Sequence, residues 1–533
     1  MADLWHRVDS KNNVAMADLT LTALGARISS EDARRLQKYR ECWNFYEGYH
    51  WEDIGDTDKL QVTENYCRSF VNKFVSFEFG KGFGIKMIPE LEDSLLPFLN
   101  SVWEDNNKQT LCDELGQTKA VTGDAWIQVA YIPKYLDGGV PNPEFDDPFD
   151  EYEKGRIRLL VVQPNIVFPE YADSYDKDKM TSLTVMYPVK RYPNEPSSTE
   201  MVIYKQVWTK DRCDEYLGQD KVRTYANKYG IIPFVHIKNY GLAGRTNGVS
   251  DLEDLIPLNM ELNLKKSDIS EIIDYHSAPV TVVFGARIGQ LEKGANKVWG
   301  GLPKDGRVEN LELNSDLGAS NNYINGVRQA MSEVGNVPEG ALGKETSISN
   351  TSGVALQVQM MPLIERTRAK HSADAVGISK VNKIILKMGF TEGLIAKPDP
   401  SKIISDTDGD KKFTNRDIYK NDIFFEDTLP KDKLIEIQQI QLEMKLGLCD
   451  RKEAMKRLGK ENINKRISDI DKDIKDYPYI YGVTLDENGN ITKGVAGNKD
   501  QMNRDLNTNK AGNQAQVNPG LQNSKEKKQN TNS

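Results

Sequence analysis

Cysteine is scarce and dispersed in this chain. Cys42, Cys67, Cys112, Cys213 and Cys449 stand far apart and none sits in a Cys-x-x-Cys pair. That spacing argues against a zinc ribbon and fits buried structural thiols in a reducing compartment. Histidine gives no catalytic pattern either: His6, His50, His236, His276 and His371 are scattered, and none lies in His-Glu-x-x-His. There is no Gly-x-Ser-x-Gly elbow and no phosphate-binding Walker loop. Its nearest fragment, Gly343-Lys344-Glu345-Thr346, lacks the hydroxyl residue directly after lysine and follows no strand. The Gly80–Gly84 cluster leaves a helix instead of opening one, which makes it a helix cap and tight turn. Asp406-Thr407-Asp408-Gly409-Asp410 places its glycine two positions too early for a calcium loop and reads as a polar turn. No catalytic residue, metal site or cofactor is expected, and nothing here hydrolyses a nucleotide unaided.

Long apolar runs are missing too. No stretch approaches the roughly 18 residues of a membrane span, and Met1 to His6 lacks the basic-then-apolar order of a secretory signal. Basic charge is not in excess: 70 Lys and Arg against 79 Asp and Glu leave a formal net charge of −9. A protein that reads DNA sequence is usually basic, so any DNA contact is expected to be loose or local. Phe, Trp and Tyr are absent after Tyr481, and residues 481–533, dominated by Asn, Gln, Lys, Gly and Ser, are expected to be disordered.

What is present reads as α+β. A length of 533 residues exceeds one ordinary core and predicts two to four packed units. Ser29 precedes a helix to about Tyr49, with Leu36, Tyr39, Trp43 and Tyr46 at helical spacing. Helices are also predicted from Asn65 to Gly80 and, as one stretch, from Leu91 to about Val121. The period then changes. Asp124–Tyr131 alternates as a half-buried strand, and strand-like runs recur at Ile157–Gln163, Ile166–Pro169, Leu183–Tyr187, Met201–Trp208 and Ile232–Lys238. No long helices separate them, so the sheet is expected to be mostly antiparallel.

From Gly248 the pattern is helical again, as far as Ser277, with Pro279 as the stop. That helix carries Asp251, Glu253, Asp254, Glu261, Asp268, Glu271 and Asp274 against only Lys265 and Lys266. Composition alone makes this the solvated face of an ordinary helical hairpin. Strands at Val280–Phe284 and Val308–Leu313 flank a short helix, and a further helix covers Asn321–Val334. Gly335–Thr351 has no apolar period and reads as a mobile loop. A long helix from Ser352 to Met388 is expected to kink at Pro362 and Gly377. Pro430–Leu446 and Arg451–Leu458 form a helix pair.

Several short phrases share one order: Asn65-Tyr66-Cys67-Arg68-Ser69-Phe70-Val71, Phe79-Gly80-Lys81-Gly82, Gly123-Asp124-Ala125-Trp126-Ile127-Gln128-Val129, Val162-Gln163-Pro164, Ile231-Ile232-Pro233-Phe234-Val235, Gly248-Val249-Ser250-Asp251-Leu252-Glu253, Pro338-Glu339-Gly340, Ser352-Gly353-Val354-Ala355-Leu356 and Leu429-Pro430-Lys431-Asp432. Taken together, from about Tyr46 to Tyr477, the chain resembles the portal proteins of tailed double-stranded DNA phages, especially the siphophage type. The resemblance implies the portal fold: a wing at 1–247 with return strands at 390–428, stem helices at 248–279 and 317–334, a clip at 280–316, a tunnel loop at 335–351, a kinked tunnel helix at 352–389 and a helical crown at 429–480.

It also implies a homo-oligomeric ring, dodecameric in the virion, at a unique capsid vertex and assembled in the host cytoplasm. Double-stranded DNA would pass through its channel during packaging and ejection. The implied partners are the terminase large subunit, a head–tail adaptor, and the major capsid and scaffolding proteins, with no membrane. The tunnel-loop candidates are Glu339, Lys344, Glu345, Ser347 and Asn350; the acidic stem candidates are Glu261, Asp268, Glu271 and Asp274; the clip docking candidates are Arg287, Lys293, Lys297 and Trp299. An acidic wall suits a conduit, because it prevents the counterion-releasing grip of a basic groove. Two other readings remain open from sequence: another minor head or adaptor protein, and a nucleic-acid enzyme using carboxylates such as Asp406, Asp408 and Asp410.

Overall fold

The computed structural model describes residues 25–51, 60–136, 139–145, 152–173, 179–192, 200–243, 245–277, 281–284, 307–310, 317–343, 358–403, 413–426, 433–459, 463–477, 483–485 and 491–494. The chain divides into two compact units, Met1–Leu429 and Pro430–Ser533.

The first unit opens with helices α1 (Ser30–Glu47) and α2 (Tyr66–Phe79), strand β1 (Phe83–Met87), and helices α3 (Pro89–Asp105) and α4 (Lys108–Thr122). Ser29 caps α1 by accepting from the Asp32 amide, and Asn65 caps α2 by accepting from the Arg68 amide. The single helix predicted over Leu91–Val121 is two. Asn107 takes the left-handed conformation at φ 52°, which asparagine tolerates, and turns the chain. Its neighbour Asn106 donates to the Val102 and Ile157 carbonyls and accepts from the Leu159 amide, fixing the break against a strand.

Strands β2 (Asp124–Pro133), β3 (Tyr135–Leu136), β4 (Val140–Pro141), β5 (Gly155–Val162), β6 (Val167–Tyr171), β7 (Met180–Lys190), β8 (Met201–Thr209), β9 (Arg212–Leu217), β10 (Asp220–Ala226) and β11 (Phe234–Lys238) follow. They form a three-stranded sheet, β11-β2-β5, a five-stranded sheet, β10-β9-β8-β7-β6, and the small hairpin β3-β4, all antiparallel. β2 is not half-buried as its alternation predicts. Ala125, Ile127 and Val129 enter the main core with α3 and α4, while Trp126 on the other face joins the core of the five-stranded sheet. The β9–β10 hairpin escapes the sequence pattern because its outer strand is charged and exposed; Lys221 and Arg223 lie on that edge and discourage strand addition.

Helix α5 (Leu255–Ser277), strands β12 (Thr281–Phe284) and β13 (Arg307–Asn310), helix α6 (Leu317–Gly335), helix α7 (Met361–Glu392) and strand β14 (Asn421–Phe425) complete the unit. β12 pairs with β13, and β14 returns to pair with β1. α5 begins at Leu255 and not Gly248, because Ser250 forms a turn, its hydroxyl accepting from the Leu252 amide and bonding the Val121 carbonyl. The expected kink in the long helix gives way to a continuous α7. Pro362 lies at its start, where a missing amide hydrogen costs nothing. Gly377 is a packing residue: a Cβ there would stand 2.6 Å from Ile237. The predicted loop is also partly ordered, with Val337 buried and Glu339–Leu342 forming a 3-10 turn.

The second unit holds α8 (Lys433–Lys445), α9 (Arg451–Arg457), α10 (Ile463–Asp476) and, within the stretch expected to be disordered, a hairpin of β15 (Val483–Leu485) and β16 (Ile491–Gly494). Asp450 caps α9 by accepting from the Glu453 amide.

Candidate functional site: the paired helices and the charged junction beside them

α5 and α6 pack side by side through Leu262, Ile324 and Val327, with Tyr66 and Ile269 at the margin. The stretch before α2 is laced along α5 by side chains four residues apart. The Asn259 amide oxygen accepts from the Tyr66 and Cys67 amides at 3.0 and 3.2 Å, Asn263 accepts from the Glu64 amide at 2.9 Å, and the Ser267 hydroxyl accepts from the Val62 amide at 3.0 Å. Asn259 also donates to the Glu64 carbonyl at 2.8 Å. Positions i, i+4 and i+8 share one helix face, so one polar stripe satisfies a whole length of backbone. The Glu64 carboxylate then pairs with Lys266 of α5 and with Arg328 of α6 at 3.1 Å.

These contacts redistribute the acids of the first helix. Asp251 is not part of an outer face; it is 2% exposed and lies before the helix starts. Glu253 is held by Lys38 and by Arg245 at 3.5 Å. Glu261 accepts from the Tyr323 hydroxyl at 3.1 Å and Asp268 pairs with Lys265 at 3.3 Å. Glu271 and Asp274 are exposed. Among the loop candidates, Glu339 is half-buried in its 3-10 turn. Lys344, Glu345, Ser347 and Asn350, and the clip candidates Arg287, Lys293, Lys297 and Trp299, lie outside the described residues.

Sequence reading missed a buried network of charge joining α2, α4, the turn into α5, and α7. Arg366 donates to Asp251 Oδ1 from Nε at 3.2 Å and from Nη2 at 2.8 Å, while its Nη1 donates to the Gly335 carbonyl at 3.2 Å. Lys370 binds the other Asp251 oxygen and lies 3.8 Å from Glu78. Lys119 sits between Glu78 and Asp374. The rings of Phe74 and Tyr240 face the Arg366 guanidinium, and Phe74 also faces the Lys370 ammonium.

Burial pushes the Asp251 carboxyl up, but Lys370 and Arg366 outweigh it and hold the group below the usual carboxylate range. Glu78 behaves likewise, burial being outweighed by Lys119 and Lys370. Asp374 goes the other way: burial raises its carboxyl well above the usual range, and Lys119, shared with Glu78, does not offset it. The only textual hint was that Asp251 fell inside the Gly248–Glu253 phrase.

A second cluster ties two of the quoted phrases together. Asp124 Oδ1 accepts from the Gly248 amide at 2.7 Å and lies 2.7 Å from His236 Nε2; Oδ2 accepts from the Tyr39 hydroxyl at 2.7 Å. Burial opposes ionisation of Asp124, yet His236 and the Gly248 amide keep its carboxyl below the ordinary value. The backbones of Gly123 and Gly248 touch, and a Cβ on Gly248 would stand 2.0 Å from the Gly123 carbonyl oxygen. Beside this cluster a cavity of about 560 Å³ is lined by Arg34, Lys38, Arg245, Glu41 and Glu253, a mixture of signs that selects no single ligand charge.

Cys42, Cys67, Cys112, Cys213 and Cys449 are buried and unpaired with one another. Burial pushes the thiols of Cys42, Cys67, Cys112 and Cys213 up to about 12, which leaves them inert. Among the described residues no group of three or more His, Cys, Asp or Glu is placed to hold a metal ion, and no helix is long and apolar enough to cross a membrane.

No curated protein matches the chain significantly. Among solved structures it is similar to a chain from the neck of an empty gene transfer agent particle, at 11% identity and a TM-score of 0.41, over 83% of this chain and 98% of that one. A chain from the virion of a native gene transfer agent particle matches at 11% identity and a TM-score of 0.40, with the same coverage. The decisive match is to a family model, phage portal protein of the SPP1 Gp6-like type, across residues 26–477. The chain belongs to the SPP1 Gp6-like family of phage portal proteins.

Proposed function

We propose that this chain is one subunit of a portal ring that forms the channel for double-stranded DNA entering and leaving a phage head at a single capsid vertex. The observation that carries the reading is family membership over residues 26–477. The geometry agrees with it. α5 and α6 form a long pair whose connecting segment carries the β12–β13 hairpin, and α7 packs beside the start of that pair. In this reading α5 and α6 are the stem, residues 280–316 the clip, 335–351 the tunnel loop, α7 the tunnel helix, and α8 to α10 the crown. The sheets of the first unit, with β14, form the wing.

Arg287, Lys293, Lys297 and Trp299 are the proposed docking residues for the terminase large subunit and later the head–tail adaptor. Glu339, Lys344, Glu345, Ser347 and Asn350 would face DNA at the loop. Capsid and scaffolding proteins would meet the outer wing. Closure around one axis requires heterologous contacts between neighbouring subunits. Electron microscopy of the purified protein, viewed end-on, together with native mass, tests this. A dodecamer of 60.2 kDa chains has a mass of about 720 kDa, and a ring with a central channel is expected. A monomer under conditions that assemble heads, or a closed particle without a channel, overturns it.

A further inference from the structure

Arg366 occupies an unusual position. Its guanidinium fork reaches the turn that starts α5, through Asp251, and the last residue of α6, through the Gly335 carbonyl, while its own backbone belongs to α7. Both ends of the helix pair are therefore gathered on one side chain. Each end is also anchored independently. The Asp251 amide donates to the Ala120 carbonyl at 2.9 Å, and Gly335 lies so close to the Phe70 ring that a Cβ would stand 2.3 Å from it. Just beyond, Asn336 turns the chain at φ 55°, and the Val337 amide donates to the Ser332 carbonyl at 3.1 Å. Lys370, one turn further along α7, grips the second Asp251 oxygen and passes the connection on to Glu78 of α2. The guanidinium lies over the Phe74 and Tyr240 rings, which leaves its planar fork little freedom.

We propose that Arg366 is a coupling residue: it makes the start of α5, the end of α6 and the long helix α7 shift as one, so that a displacement of either helix of the pair is passed to α7. The inference stands on these contacts and does not depend on what passes through the ring. A residue that merely adds stability would weaken each end separately. A coupler makes the effect at one end depend on the other, and that dependence is measurable as a non-additive pair of substitutions.

The test is amide hydrogen exchange on the full chain, read at Asn336 and Val337 and normalised to Ile127 and Val129 of β2. Asp251→Asn weakens the contacts of the α5 side, to Arg366 and Lys370, and leaves the Arg366 arm to Gly335 in place. It is expected to speed exchange at Asn336 and Val337 by about tenfold, in the range of ordinary coupling energies. In an Arg366→Gln background the same Asp251→Asn change should add nothing at those amides. Glu78→Gln, which weakens the network at its far end, should leave them at the reference rate relative to β2. Should Arg366→Gln fail to fold, Arg366→Lys replaces it, keeping the charge beside Asp251 and losing the second arm to Gly335. Additive effects of the two substitutions, or unchanged exchange at Asn336 and Val337 in Asp251→Asn, overturn the proposal.

Discussion

Asp251 and Asp374 are both fully buried on one network, and their surroundings drive them in opposite directions. Asp251 meets two cations, Arg366 and Lys370, the second of which also lies 3.8 Å from Glu78; Asp374 shares Lys119 with Glu78. Removing the charge therefore has unequal consequences. Asp251→Asn leaves Arg366 buried without its counter-ion and Lys370 with Glu78 at 3.8 Å, and should cost about 3–5 kcal/mol. Asp374→Asn removes a charge that burial opposes and that shares its cation, so it should cost less than Asp251→Asn.

Their pH signs also differ. A carboxyl held below its unfolded value stabilises above that value and loses the contribution as pH falls through the folded one. A carboxyl raised in the folded state stabilises at low pH and loses the contribution as pH rises. Urea unfolding between about pH 2 and pH 8 should thus show Asp374→Asn improving relative to the parent as pH rises. Asp251→Asn should approach the parent as pH falls below the ordinary carboxylate range. Matching pH profiles for the two variants would contradict this assignment. The sequence marks Asp251 only through its place in the Gly248–Glu253 phrase and does not mark Asp374, because burial of a charge is decided by which elements meet around it.

At the scale of elements, α5 works as a polar rail. Asn259 accepts from the Tyr66 and Cys67 amides, which belong to the orphan donors at the start of α2, so that helix has a cap from its own Asn65 and a second one from α5. Asn259→Ala takes this acceptor from the buried Cys67 amide, leaves the Tyr66 amide with the Glu64 carbonyl, and should cost about 1–3 kcal/mol. Asn65→Ala removes an exposed cap and a bond to the Tyr46 carbonyl, which Arg68 still serves, and should cost about 1 kcal/mol. Thermal unfolding of the two variants ranks them; a larger loss from Asn65→Ala would count against the rail.

The helices were legible where an apolar period is clear, as with Leu36 and Tyr39 after the capping stretch Ser29-Ser30-Glu31-Asp32, or with Phe70 and Phe74 after Asn65. They were misread where a single residue overrides the period. Asn107 divides α3 from α4 by adopting a conformation that its side chain tolerates, and the Ser250 turn postpones α5 although Leu252, Leu255 and Ile256 keep helical spacing. Pro362 was read as a kink because its place relative to the helix start was not fixed by pattern. The β9–β10 hairpin was invisible since an exposed edge strand carries no apolar alternation.

At the scale of the whole molecule, the described acids of α5 sort into those consumed by the fold and those left outward. Asp251 and Glu253 are tied to named cations and Glu261 accepts from Tyr323, whereas Glu271 and Asp274 lie at the exposed surface and Asp268 pairs with its neighbour Lys265. Sequence reading counted all seven acids as one face; three-dimensional packing narrows that face toward the far half of α5. If that half borders the channel, its charge sets how DNA is held. In that case phosphates would be repelled, few counterions would be released, and the duplex would slide. Converting Asp268, Glu271 and Asp274 to lysine in every subunit reverses the sign without touching Asn259, Asn263 or Ser267, so assembly of the ring should survive.

The assembled variant should retain double-stranded DNA more tightly than the parent, and its binding should weaken steeply with salt. Each phosphate newly neutralised adds about 0.9 to the slope of log affinity against log salt concentration. Affinity measured from low to moderate salt, alongside the amount of DNA packaged, reads both effects. A steeper slope with slower packaging places these carboxylates at the channel wall. An unchanged slope on an intact ring moves them to the outside, and the acidic face becomes ordinary solvated helix surface.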